Sequence, residues 1–290
     1  MRFVAFRDSV GQGLAVRSKD ADRWAGLREG DRRYPGDLFS LLRSGGHGLS
    51  EAYAALLAGD PIVMKTIAFL PPIGHPGKII CVGLNYADHS AESGFKQPDY
   101  PTLFSRFASS LVGHRAAIVR PIVSEQLDYE GEVVAVIGRT GRHVAKDRAL
   151  EHVAGYAVFN EASIRDYQFK APQWTVGKNF DGTGAFGPEF VTADELPPGA
   201  KGLKIETRLN GVTVQSASTD DMVFDVASLV SIISEAITLE PGDLIVTGTP
   251  AGVGLARKPP LWMKAGDVCE VEVERIGTLV NPIVDERDAA

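Results

Sequence analysis

Hydrophobic positions fall into short runs and alternations along most of the chain, and helical spacing is confined to a few stretches. Val271 and Val273 alternate with Glu270, Glu272 and Glu274, the pattern of a strand with one wet face. Residues 204–209 and 212–214 flank Asn210-Gly211, a pair suited to a type I′ turn, and so predict a hairpin. Apolar runs at 78–82, 132–137, 155–159 and 244–246 predict further strands. Val226, Leu229, Val230, Ile233 and Ile237 follow helical spacing, with Asp225 placed to cap it.

The first 70 residues read differently. They predict strands at 2–6 and 14–16, then two short helices at 37–42 and 50–57, with Ser50 as an N-cap and Gly59 as a stop. Residues 69–77 are dense in Pro and Gly and mark a boundary. The expectation is a small N-terminal domain over 1–70 and a main domain over 71–290, with an α+β or mainly β core. No internal repeat is visible.

Composition narrows the function classes. The 290 residues carry 30 Lys+Arg against 37 Asp+Glu, a net charge of −7. An acidic chain without a basic cluster is poorly suited to a phosphate backbone, so no nucleic-acid partner is expected. No apolar run approaches the roughly 20 residues of a membrane helix. The opening Met-Arg-Phe-Val-Ala-Phe is interrupted by Arg7 and Asp8, unlike a signal peptide, and a cytoplasmic protein is the expectation. Cys81 and Cys269 lie in apolar, strand-like surroundings and are read as buried free thiols.

Four stretches carry candidate chemistry. In Asp128-Tyr129-Glu130-Gly131-Glu132, Glu130 and Glu132 are two apart on a strand and point to one side, with Asp128 in step. Close carboxylates repel unless a cation or protons neutralise them, and Mg²⁺ and Ca²⁺ favour oxygen ligands. The competing reading is a solvated acidic strand face. Glu161, Arg165 and Gln168 have the spacing of one face of a helical turn, where Glu161 is either a third carboxylate or half of a surface ion pair. His89 and Glu92 are three apart, so a carboxylate could orient an imidazole base; a solvated helical turn is the alternative. The loop 247–254, Thr-Gly-Thr-Pro-Ala-Gly-Val-Gly, follows a buried strand and could present backbone N–H groups to an anion, or be a structural turn. It lacks the Gly-Lys-Ser/Thr ending of a P-loop, so nucleotide binding is not expected.

These stretches, with Cys81-Val82-Gly83-Leu84-Asn85-Tyr86 and Gly177-Lys178-Asn179-Phe180-Asp181, occur in one order over residues 78–285. In this the chain resembles the fumarylacetoacetate hydrolase family. The resemblance implies a mixed β-roll core with a small N-terminal α/β domain, a homodimer, and Mg²⁺ (or Mn²⁺ or Ca²⁺) held by Glu130, Glu132 and Glu161. It implies catalytic roles for His89, Glu92 and Lys178, and substrate contacts from Arg106, Tyr129, Arg165, Gln168, Gly248 and Thr249. Two departures stand out: Glu161 where the family often has Asp, and Arg106 where it often has Lys. The implied substrate is a 2-oxo acid, and the first expectation is C–C hydrolysis of an acylpyruvate-type compound. The alternative is a decarboxylase or isomerase of the 5-carboxymethyl-2-hydroxymuconate kind, which residues 186–195 resemble. A non-catalytic metal-binding dimer would have no use for the His89–Glu92 pair. The stretch 86–100, with Ser93-Gly94 and Pro98, is expected to form a mobile lid.

Overall fold

The strand Gly131–Ile137 is buried at every position, which is why it reads as a continuous apolar run instead of an alternation. Val133, Ala135 and Ile137 enter one core and Val134 and Val136 another, so packed layers cover both faces of the sheet. The computed structural model describes residues 1–19, 23–45, 48–92 and 99–289, and the side chains of these other than 89–91.

The central sheet runs in the order Asp60–Pro61, Trp24–Arg28, Gln12–Arg17, Arg2–Arg7, Gly184–Thr192, Val153–Glu161, Gly131–Ile137, Leu244–Val246, Ile79–Gly83, Thr102–Ser105. The first strand joins it antiparallel through Arg2 opposite Val191 and Phe3 opposite Phe190. Residues before 71 therefore extend the same sheet. Two helices from this segment, α1 (Leu38–Arg43) and α2 (Gly48–Leu57), place Leu38, Leu41, Leu42 and Leu56 in the core that holds Val134 and Val136. Asp37 caps α1 by accepting the Ser40 amide at 2.8 Å. Ser50 is not a cap: α2 already begins at Gly48.

On the other face lies a five-stranded sheet ordered Val212–Ser218, Lys204–Leu209, Val268–Val273, Gly277–Asp285, Ile118–Arg120. The Asn210-Gly211 hairpin forms as expected, both residues having positive φ (53° and 77°). In Val268–Val273 the valines from 271 on are buried while Glu272 is exposed. Further helices follow in chain order: α3 (Ala87–Glu92), α4 (Arg165–Gln168) and α5 (Val226–Ala236). Asp225 caps α5 through the Ser228 amide at 2.8 Å, and Leu229, Val230 and Ile233 close the core between the sheets. Cys81 and Cys269 are buried free thiols. No helix among the described residues is long and apolar enough to cross a membrane.

Candidate active site

Chain geometry gathers three carboxylates at one end of the central sheet. Glu130 and Glu132 flank Gly131, whose pairing with Asn160 sets the last strand of the trio, ending at Glu161, alongside them. The Glu161 amide donates to the Glu130 carbonyl at 2.9 Å. Gly131 admits no side chain: a Cβ there would lie 2.2 Å from Thr207 Oγ1. One oxygen from each of Glu130, Glu132 and Glu161 lies within 4.8 Å of the others, and all three residues are buried. The solvated acidic face is thereby excluded, and the longer Glu161 still closes the trio.

Burial decides the electrostatics. Lys178 Nζ sits 2.7 Å from Glu130 Oε2 and 3.0 Å from Glu161 Oε2. Burial works against its charge, but those two carboxylates outweigh it and raise its pKa. Arg165 donates Nε to Asp128 Oδ2 at 2.8 Å and Nη1 to Gln168 Oε1 at 2.9 Å, and its Nη2 is 2.6 Å from Glu130 Oε1. Arg106 Nε is 3.5 Å from Glu161 Oε1. Four buried carboxylates (Asp128, Glu130, Glu132, Glu161) thus face three buried cations (Arg106, Arg165, Lys178). Glu132 accepts the Gly248 amide. Burial first, then Glu161 and Glu130, push its pKa well above the ordinary carboxylate range. Glu161 Oε1 is buried and accepts no hydrogen bond. This surplus of oxygen donors fits a hard divalent cation.

The trio opens on a narrow cleft. Arg165, Gln168, Lys178 and Thr249 supply its remaining polar lining, and Leu84, Phe104, Phe169, Trp174 and Leu255 its apolar wall. Among the residues expected at the site, these four and the trio are brought together.

Others are not where the sequence places them. Glu161 ends a strand, pairing with Gly184, so it shares no helical face with Arg165 and Gln168; α4 starts only at Arg165. A surface Glu161–Arg165 pair is excluded because both are buried and Arg165 is turned to Asp128 and Glu130. Arg106 lies behind Glu161, donating to Ser110, Thr183 and the Ala162 carbonyl, and does not line the cleft. Tyr129 is fully buried, its hydroxyl donating to the Gly252 carbonyl at 3.0 Å and accepting from Arg257, so it braces the 247–254 loop. That loop is not an open anion cradle either. Its Gly248, Gly252 and Gly254 amides already bind Glu132, Glu92 and Asp128, and the Thr249 hydroxyl donates to the Gly131 carbonyl. Asp128 does not join the trio. It accepts from Arg165, from its neighbour Tyr129, and from the Gly254 and Leu255 amides.

Glu92 is exposed and ties α3 to the loop by accepting the Gly252 amide at 2.8 Å. The His89 side chain and residues 93–98 of the expected lid lie outside the described residues. Sequence reasoning missed Gln215, which bonds the Gly131 amide, and the wall residues Phe104 and Trp174; none of them stands in a stretch with a chemical pattern.

The family model for the C-terminal part of fumarylacetoacetate (FAA) hydrolase matches residues 78–284. The chain belongs to the fumarylacetoacetate hydrolase family. As an enzyme of this family it has relatives that match it over most of their length. It is 39% identical over 289 residues to the human "Oxaloacetate tautomerase FAHD2A, mitochondrial", covering 98% of this chain and 92% of the relative. It is 41% identical over 256 residues to the rat "Oxaloacetate tautomerase Fahd2a, mitochondrial", covering 88% and 82%. Among solved structures it is similar to the fumarylacetoacetate hydrolase of Exiguobacterium antarcticum, with TM-score 0.84, 35% identity and coverage of 99% and 100%. It is also similar to a 5-carboxymethyl-2-hydroxymuconate delta-isomerase from Mycobacterium smegmatis, with TM-score 0.77, 29% identity and the same coverage.

Proposed function

We propose that this family member interconverts the enol and keto forms of a short 2-oxo dicarboxylic acid of the oxaloacetate kind, with a divalent cation held by Glu130, Glu132 and Glu161. The observation that carries the reading is the buried trio with its surplus of carboxylate charge and Lys178 fixed at its edge. The relatives named as oxaloacetate tautomerases support the choice of reaction. A divalent ion bound there would supply positive charge that polarises a 2-oxo carbonyl and eases proton transfer at the adjacent carbon.

The protein's own groups do the rest. Lys178 stays protonated and stabilises negative charge on the substrate oxygen as a proton leaves carbon. Gln168 and Arg165 orient the acid from the cleft wall. Leu84, Phe104 and Trp174 keep bulk water off the reacting atoms, which suits a proton shift better than a water attack. His89 is the proposed base, carried on α3, which Glu92 anchors to the 247–254 loop. The resemblance implies that the enzyme works as a homodimer.

C–C hydrolysis of an acylpyruvate is the second reading, favoured by the 35% identical fumarylacetoacetate hydrolase structure. Product analysis separates the two. Incubated with Mg²⁺ and enol-oxaloacetate, the enzyme should yield keto-oxaloacetate faster than buffer does, with no new carbon fragments. Rapid cleavage of an acylpyruvate to pyruvate, with no acceleration of the enol–keto exchange, would replace the first reading by the second.

A further inference from the structure

Gly131 lies between two of the three carboxylates, and among the described residues no strand pairs with its outer edge. The strand Leu244–Val246 pairs with residues 134–136, and Thr247 makes the last backbone bond, to Val133. Beyond that point side chains take over. The Gly131 amide donates to Gln215 Oε1 at 3.0 Å, and the Gly131 carbonyl accepts from Thr249 Oγ1 at 3.0 Å. Gln215 Nε2 donates to Thr249 Oγ1 at 2.9 Å and closes a ring, with a further bond to the Pro250 carbonyl at 2.8 Å. Gln215 and Thr249 are 2% and 3% exposed, so water does not substitute for these bonds.

The ring holds the peptide units on either side of one residue. Those units set the directions in which Glu130 and Glu132 leave the chain. Gln215 itself comes from the strand Val212–Ser218 of the five-stranded sheet, so it fixes the trio against the opposite layer.

We propose that Gln215 is a positioning residue for the carboxylate trio, acting with Thr249 through the backbone of Gly131. The proposal rests on the reading that the trio holds a divalent cation. Outer partners that orient ligands typically alter metal affinity by 10–100-fold when removed.

The test is Mn²⁺ binding to the metal-stripped full chain, followed by calorimetry and by the electron paramagnetic resonance of free Mn²⁺. Gln215→Leu and Thr249→Val should each weaken Mn²⁺ binding by about 10- to 100-fold. The double variant should be no more than about 3-fold weaker than the weaker single, because both break one ring. Thr207→Val is the control. Its hydroxyl is buried beside Gly131 but makes no hydrogen bond, so its Mn²⁺ affinity should stay within about 3-fold of wild type. If Gln215→Leu does not fold, Thr249→Val against Thr207→Val carries the comparison. Folded Gln215→Leu and Thr249→Val proteins that bind Mn²⁺ like wild type would overturn the brace alone. Multiplying effects in the double variant would overturn the ring. A wild-type chain that takes up no Mn²⁺ would overturn the metal reading and this proposal together.

Discussion

Two clusters in this protein use the same residue types to opposite effect. On the outer face of the five-stranded sheet, Arg208 donates to Glu206, Glu270 and Glu272, each at 2.8 Å, and Lys204 reaches Glu206 at 2.6 Å. Hydrogen bonds from Lys204 and Arg208 hold Glu206 below the usual carboxylate range. Around the buried trio, Arg165, Lys178 and Arg106 face Asp128, Glu130, Glu132 and Glu161 at similar distances, yet Glu132 is driven upward, first by burial and then by Glu161 and Glu130. Water and mobile ions balance the outer cluster, whereas nothing but a bound cation or a proton can balance the inner one. A row of glutamates on a strand therefore says little about function until the packing above it is known.

The comparison can be broken at either cluster. The largest effect is expected inside: Glu132→Gln should lower turnover by at least about 10³-fold, about 4 kcal/mol of barrier, in a steady-state assay with saturating Mg²⁺. Near-normal turnover would mean that Glu132 is not a ligand. Next comes Asp128→Asn, which places an amide against the Gly254 or Leu255 N–H and removes one of the two carboxylate charges that face the buried Arg165. Urea unfolding should show a loss of about 3–5 kcal/mol.

His114 sharpens the comparison by supplying burial without an opposite charge. Its Nδ1 accepts the Val280 amide at 3.0 Å, and its ring packs edge-on against Phe69 at 4.6 Å. Burial, then Arg115, lowers its pKa from 6.5 to about 4. The unfolded chain takes up this proton first as pH falls. The stabilisation is therefore complete above pH 6.5 and is lost toward pH 4, with a slope of about 1.4 kcal/mol per pH unit, summing to about 3 kcal/mol. His114→Gln should flatten that part of the stability profile. The smallest effect is expected outside: Glu272→Gln should change unfolding stability by about 0–1 kcal/mol, and less at high salt.

The same contrast explains what was legible in the sequence. Glu130 and Glu132 could be paired because strand periodicity is local, and their apolar continuation, Val133 to Ile137, announces a strand buried on both faces. The Asn210-Gly211 turn and the Asp225 cap were legible for the same reason. Glu161, Arg165 and Gln168 were misplaced on one helical face because a 4-and-3 spacing cannot reveal that a strand runs through Glu161 and ends there. Arg106 and Tyr129 were assigned to substrate because a motif gives residue types but not the side of the wall on which they stand. Gln215 was illegible: it lies one strand beyond a hairpin turn, and its partners are 84 and 34 residues away in the chain.

The central claim is that the buried trio works through a divalent cation to speed the enol–keto interconversion of a 2-oxo dicarboxylate. The direct measurement strips the enzyme with EDTA and follows the ultraviolet absorbance of enol-oxaloacetate while Mn²⁺ is returned in steps. The account predicts a rate at the uncatalysed level in the stripped protein, rising in proportion to bound Mn²⁺ and levelling at one ion per chain. A stripped protein that converts enol-oxaloacetate at the full rate would contradict it.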